Sequence, residues 1–268
     1  MREGYDNGCN GTKYQITEVP LSSFAGIRIG QAEDRQGGTG LTVVLSEDPR
    51  GMAAGLHIGG GGPATRETGI LDPVATAQYI HAAVLGGGSA FGLDAAGGVM
   101  RFLEEKGIGV EVRGVNVPLV TQVDIFDLPI GDPHVRPDRE MGYAACLAAQ
   151  EGANGNYRDG CRGAGCGATV GKYAGIEHGM KSGIGACVLR QGDLLVGAII
   201  AVNAFGDIYD WKTGQKAAGA HDGAGRFYDR MEMASFLRAE ECAQIEAEQE
   251  ARRPAALNTT IGIVFTNA

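Results

Sequence analysis

Three observations predict an α/β fold. Short β-branched apolar runs alternate with longer segments rich in Ala, Glu and Arg, and several of those longer segments open on Asp, Ser or Pro. No repeat, low-complexity linker or compositional break divides the chain, so one α/β domain over residues 16–268 is expected, preceded by a flexible polar segment, 1–15. Glycine is the outlier, at 45 of 268 residues against an average usage of ~7%. It has no three-residue period, which excludes collagen. Its clusters at 59–62, 86–88 and 163–167 predict tight loops and close backbone approaches.

Along the chain, LTVVL (41–45) and AAGLHI (53–58) read as buried strands joined by the turn 46–51, a first hairpin. Asp72-Pro73 predicts a helix start for VATAQYIHAAVL, closed by Gly86 to Gly88. A second helix is expected over Ser89–Lys106 with Ser89 as its cap. Its Gly97-Gly98 pair would cost about 1 kcal/mol per glycine relative to alanine, which points to another backbone packed against it. Residues 119–126 read as a strand, Pro137-Asp138 starts a helix to Gln150, and 152–167 is a glycine loop. The clearest hairpin is 184–190 with 194–203 about the turn Gln191-Gly192-Asp193, ending on a polar residue, Asn203. A surface helix follows over 229–253, stopped by Pro254, and 257–266 is the last strand.

Composition excludes several classes of function. With 44% hydrophobic and 21% charged residues the chain is not mainly disordered, and no apolar run approaches the ~18 residues of a membrane span. A net charge of −9 argues against nucleic acid and against an anionic membrane as partners, and favours a small neutral or cationic ligand. Residues 1–22 lack the apolar core of a secretory signal, so a cytoplasmic location is expected. The six cysteines form no C-x-x-C pair and read as reduced thiols packed as small hydrophobes.

Familiar catalytic motifs fail. Gly171-Lys172 is followed by Tyr173 and has Cys166 where a phosphate loop needs its first glycine. There is no G-x-G-x-x-G and no G-x-S-x-G; the five histidines are dispersed, and Glu104-Glu105 and Glu240-Glu241 sit in helical charge runs. No metal or other cofactor is expected.

A set of ordered stretches nonetheless resembles one family, the DmpA-like aminopeptidases (L-aminopeptidase/D-esterase, peptidase family S58), which are N-terminal-nucleophile hydrolases. They are Ile16 to Val19, Gly26 to Ala32, Gly38 to Val43, Gly59 to Thr68, Gly87 to Leu93, Val123 to Leu128, Gly163 to Lys172, Val202-Asn203 and Asn258 to Gly262. The resemblance implies an αββα four-layer sandwich, shared with ornithine acetyltransferases, made as a precursor that cuts itself. The cut would fall between Asn258 and Thr259. Thr259 would attack the Asn258 carbonyl, and the freed threonine amine, with a pKa near ~7.7 to 8, would then serve as general base without a histidine. Asn203 matches the family's oxyanion donor and Lys172 a lysine near the nucleophile; Thr260 is expected to face the other side of the sheet.

Two departures stand out. Phe126 occupies the position of a catalytic tyrosine in some members, and a phenyl ring donates no hydrogen bond. Members also continue beyond the nucleophile with further catalytic side chains, so this chain, ending at Ala268, is expected to be a piece of a longer precursor. The implied activity is hydrolysis of small peptides or amino-acid amides and esters by a homo-oligomer of the cut pair. Acyl transfer to an amine and a non-catalytic assembly protein are the alternatives.

Overall fold

The computed structural model describes residues 15–152, 155–249 and 258–268, with 240–249 described by their backbone alone. Nine strands form two sheets: β1 (Thr17–Val19), β2 (Ile27–Asp34), β3 (Thr39–Ser46), β4 (Ala64–Arg66), β5 (Ala82–Gly86), β6 (Val120–Asp124), β7 (Gly183–Gln191), β8 (Leu194–Asn203) and β9 (Thr259–Thr266). The helices are α1 (Ala95–Glu105), α2 (Arg139–Ala148) and α3 (Arg230–Gln249). One sheet has the order β2-β3-β5-β6-β4, with β5 and β6 parallel and its other pairs antiparallel. The other is an antiparallel sheet in the order β1-β7-β8-β9.

Strand alternation sorts the side chains into two cores. Leu41, Val43 and Leu45 of β3, with Ala82, Val84 and Val120, face Val99, Phe102 and Leu103 of α1 and Ala145 and Cys146 of α2. The intervening residues Val44 and Leu85 join Ile27 and Ile29 in the space between the sheets, opposite Ile184, Val188, Leu195, Ile199 and Ala201. The architecture is therefore an α/β sandwich of helices, sheet and sheet. Leu194, Val196 and Val264 lie on the far side of the second sheet and are exposed.

Glycine sets the helix spacing. A Cβ on Gly98 would run into the carbonyl of Arg139, and one on Gly142 into the carbonyl of Ala95, so α1 and α2 pack backbone to backbone as the Gly97-Gly98 pair predicts. Asp138 caps α2, its Oδ1 accepting from Met141 N at 2.9 Å. The hairpin at 183–203 forms about Gly192, whose φ is +60°.

Three expected elements differ. Residues 53–58 are not a strand, because both edges of β3 are taken by β2 and β5; Met52 alone bridges to Ile80 and the run lies as exposed coil. The helix expected after Pro73 does not form: residues 73–79 run as turn and coil, and β5 follows at Ala82. AAVLG is covered by helices on one face and the second sheet on the other, and such a doubly buried strand has the same continuous apolar sequence as a buried helix. Ser89 caps nothing. It opens a 3-10 segment, Ser89–Asp94, with φ +53°, and the α-helix begins at Ala95.

Cys146 and Cys166 are packed as expected, whereas Cys161 and Cys187 lie at the surface. The stop at Pro254 and the segment 1–14 fall outside the described residues. Among the described residues no helix is long and apolar enough to cross a membrane.

Gly98→Ala should destabilise by about 1–3 kcal/mol through overpacking, lowering Tm by several degrees, whereas Gly55→Ala, with open space around it, should stay within about 0.5 kcal/mol. Thermal unfolding of both variants checks this. Equal melting temperatures would refute the close packing of α1 on α2.

Candidate active site

β8 alternates strictly, with Leu195, Gly197, Ile199, Ala201 and Asn203 buried on the inner face. The row is apolar until its last member, so Asn203 is a fully buried amide at the end of a hydrophobic strand. β9 lies beside β8 in antiparallel register, and the residue directly opposite Asn203 is Thr259. Thr259 begins β9's own inner row, followed by Ile261, Ile263 and Phe265, while Thr260 faces outward and is exposed, as expected. Directly opposed side chains on one face have Cβ atoms about 4.5–5.5 Å apart, so the pairing makes Thr259 and Asn203 neighbours.

A buried amide must find partners, and that of Asn203 draws three segments together. Its Oδ1 accepts from Thr169 N at 3.1 Å, from Thr169 Oγ1 at 3.3 Å and from Lys172 Nζ at 2.9 Å. Its Nδ2 donates to the Phe126 carbonyl at 2.9 Å. Three donors on one side and a carbonyl on the other fix which way the amide points.

Lys172 follows Gly171, whose φ of +70° turns the chain, and its own N–H donates to Phe205 O at 2.7 Å. Nζ also donates to Asn203 O at 3.1 Å. Burial disfavours its charge and brings the ammonium down from the usual lysine range to about 8. The structure thus brings Thr259, Asn203 and Lys172 together around one amide, with exposed Asn258 immediately before the strand.

A cavity of about 550 Å³ opens at Thr259, lined by residues 56–65 with His57 among them, Ser89, Val123, Asp124, Phe126 and residues 258–262; Asn203 and Lys172 are not part of its lining. Phe126 stands where the resemblance places a tyrosine. Its ring adds an apolar wall, and its carbonyl holds the Asn203 amide.

Sequence reasoning missed what braces the opposite wall. Asp124 is buried beside Gln122, whose Nε2 donates to it at 2.9 Å and to Gly92 O at 2.8 Å. Burial raises the Asp124 carboxyl well above the carboxylate range, and nearby Asp127 adds to the effect. Asp127 Oδ1 accepts from Gly88 N at 2.6 Å and Oδ2 from Thr39 Oγ1 at 2.9 Å; burial raises its pKa too. These groups hold the 86–92 loop and its left-handed Ser89 at the cavity rim. Two aspartates inside the apolar run Val123 to Leu128 were the available signal.

The model of peptidase family S58 matches residues 15–268. An uncharacterized aminopeptidase of Mycobacterium leprae is 41% identical over 85% of this chain and 60% of its own length. A 6-aminohexanoate-oligomer endohydrolase of Agromyces sp. is 31% identical over 93% of this chain and 64% of its own. The chain thus spans about three fifths of the length of these relatives. Among solved structures, a Pyrococcus horikoshii protein superposes with TM-score 0.57 at 18% identity, covering 92% of this chain and 63% of that one. A Burkholderia sp. beta-aminopeptidase superposes with TM-score 0.50 at 19% identity, covering 69% and 52%. At these identities the structures speak for the fold, a sandwich of the DmpA-like kind. With its family model matched from residue 15 to the last residue described, the chain belongs to peptidase family S58.

Proposed function

We propose that the chain is the part of a self-processing amidohydrolase that carries the nucleophile, acting on small peptides or amino-acid amides. The observation behind this reading is the pairing of Thr259 with Asn203 across β8 and β9, with Lys172 Nζ seated on the same buried amide.

In the first step Thr259 Oγ attacks the Asn258 carbonyl carbon. The hydroxyl proton leaves for a base, the C–N bond breaks, and the amine takes up a proton, so the acyl group moves from nitrogen to oxygen. Water then hydrolyses the ester, leaving a carboxylate on Asn258 and a free α-amine on Thr259. A lysine titrating near 8 is the base available for the first cut, because a useful fraction is neutral at ordinary pH. Asn203 uses one N–H on the Phe126 carbonyl, and an amide nitrogen carries two; the second is the donor proposed for the oxyanion.

In turnover the threonine amine takes over as base, and an acyl-threonine ester forms and is released to water. The cavity of about 550 Å³ falls in the range of small-molecule sites, which suits a substrate of a few residues. The Agromyces relative is named for hydrolysis of 6-aminohexanoate oligomers, and the Burkholderia neighbour is named a beta-aminopeptidase, so both names belong to amide hydrolysis. A cytoplasmic homo-oligomer of the cut chain completes the reading.

Intact mass over time tests the proposal. Wild type should give a fragment ending at Asn258 and one beginning at Thr259, and Thr259→Ala should give neither. Loss of the proton from Lys172 makes it a base, so the cutting rate should rise with pH through about 8 and level off above it. A pH-independent rate would remove Lys172 from that role. Asn203→Ala should slow cutting by about 10²–10³ if it supplies an oxyanion donor; a loss below about ten-fold in a variant that melts like wild type would exclude that function.

A further inference from the structure

The turn that carries Lys172 is tied in step to the segment leaving β8. Gly171 N donates to Gly206 O at 2.9 Å, Lys172 N to Phe205 O at 2.7 Å, and Lys172 Nζ to Asn203 O at 3.1 Å. The next residue continues the series through its side chain, with Tyr173 Oη donating to Asp207 Oδ2 at 3.1 Å.

Asp207 is anchored in turn. Its side chain is 1% exposed, Oδ2 lies 2.5 Å from Lys216 Nζ, and Oδ1 accepts from Ala220 N at 2.9 Å. Lys216 also donates to Tyr228 O at 2.7 Å. A Cβ at Gly219 would strike Asp207 Oδ1, and one at Gly171 would strike Ala220 N, so the chain closes tightly around both ends of the clamp.

The proposed reaction gives this buried pair no direct part. Packing does not require it either, since an ion pair in a core is commonly no better for stability than apolar residues of the same size. Tyr173 itself sits among Phe205 and Phe236, and its hydroxyl reaches out of that apolar cluster to the carboxylate. What the pair does supply is direction, because it fixes the residue adjacent to Lys172 at a second point, across the turn from Asn203.

We infer that Asp207, held by Lys216 and acting through Tyr173, is a positioning group that keeps the Lys172 amine seated on the Asn203 amide. The inference rests on the reading of Lys172 given above. Around Tyr173 the charged groups are Asp207 and Lys216, with Glu232 from α3 acting at longer range. With the clamp loosened, Nζ can swing toward water, where its charge is no longer penalised and its titration returns toward the ordinary value.

The test uses the full chain and two variants, Tyr173→Phe, which keeps the ring and removes the hydroxyl, and Asp207→Asn. In a Thr259→Ala background, acetic anhydride labelling of Lys172 is followed by mass spectrometry from about pH 6 to about pH 11, which brackets the shifted and the ordinary lysine. The unclamped variants should move the labelling midpoint upward from about 8 toward 10.5. In the cuttable chain they should displace the pH profile of cutting in the same direction, slowing cutting at pH 8 about five-fold for the first unit of displacement and about ten-fold for each unit after it. An unmoved midpoint in Tyr173→Phe, whatever happens to the melting temperature, overturns the inference and leaves Asp207 a structural residue. Should Asp207→Asn fail to fold, Tyr173→Phe decides alone. A wild-type chain that never cuts while the midpoint still moves retires the processing reading and leaves the positioning role standing.

Discussion

The site depends on the burial of one amide. Asn203 is fully enclosed, and an amide taken out of water without partners costs several kcal/mol, so the segments that satisfy it cannot wander. Phe126 comes from the loop after β6 in the first sheet and Thr169 and Lys172 from the segment before β7, while pairing of β8 with β9 sets Thr259 beside them. Those segments have their ends fixed relative to one another by the requirements of a single side chain. No long-range electrostatics is needed, since hydrogen-bond geometry over about 3 Å does the work.

Glycine serves the same end by a different route. α1 and α2 approach until backbone meets backbone, and the connection from β5 into α1 opens on Gly87 and Gly88. A Cβ at Gly87 would collide with the Asp127 carboxylate, the group that accepts from Gly88 N. The loop is thereby pressed against two buried aspartates and delivers Ser89 to the cavity in a backbone conformation that side chains seldom adopt. Buried carboxyls raised by desolvation are costly, and their presence beside a cavity rather than in the main core suits a functional constraint better than a packing one.

How much of this could be read from sequence followed from how local each signal was. The 183–203 hairpin, the Asp138 cap and the Gly97-Gly98 contact were legible because alternation, capping and helix glycine each act within a few residues. β5 was misread as helix because its two-sided burial erases periodicity, and 53–58 was misread as strand because occupancy of β3's edges is a tertiary fact. At the site, an asparagine ending an apolar strand and a threonine opening another were visible and the family resemblance suggested their roles, but their register across β8 and β9 spans more than fifty residues of chain and was not legible. Ser89 carried a misleading cap signal. The clamp through Asp207 carried none, since an aspartate after glycine reads as a turn until the fold folds Tyr173 over it.

The proposed chemistry places two amines in one small space and so does not call on His57, the histidine in the cavity wall. Before cutting, the candidate base is Lys172, brought to about 8 by burial. After cutting, the α-amine of Thr259, ordinarily near ~7.7 to 8, would stand across the strand pair from the amide that seats Lys172. Two like charges so near each other raise the cost of ionising both, so the second proton binds less readily than the first and the pair titrates as a unit. Around neutral pH such a pair holds one proton more readily than two, leaving one amine free to accept and one cation to oppose the charge that develops on the substrate oxygen. In this proposal base and counter-charge come from the same two nitrogens, beside an Asn203 amide that Thr169 and the Phe126 carbonyl hold in place.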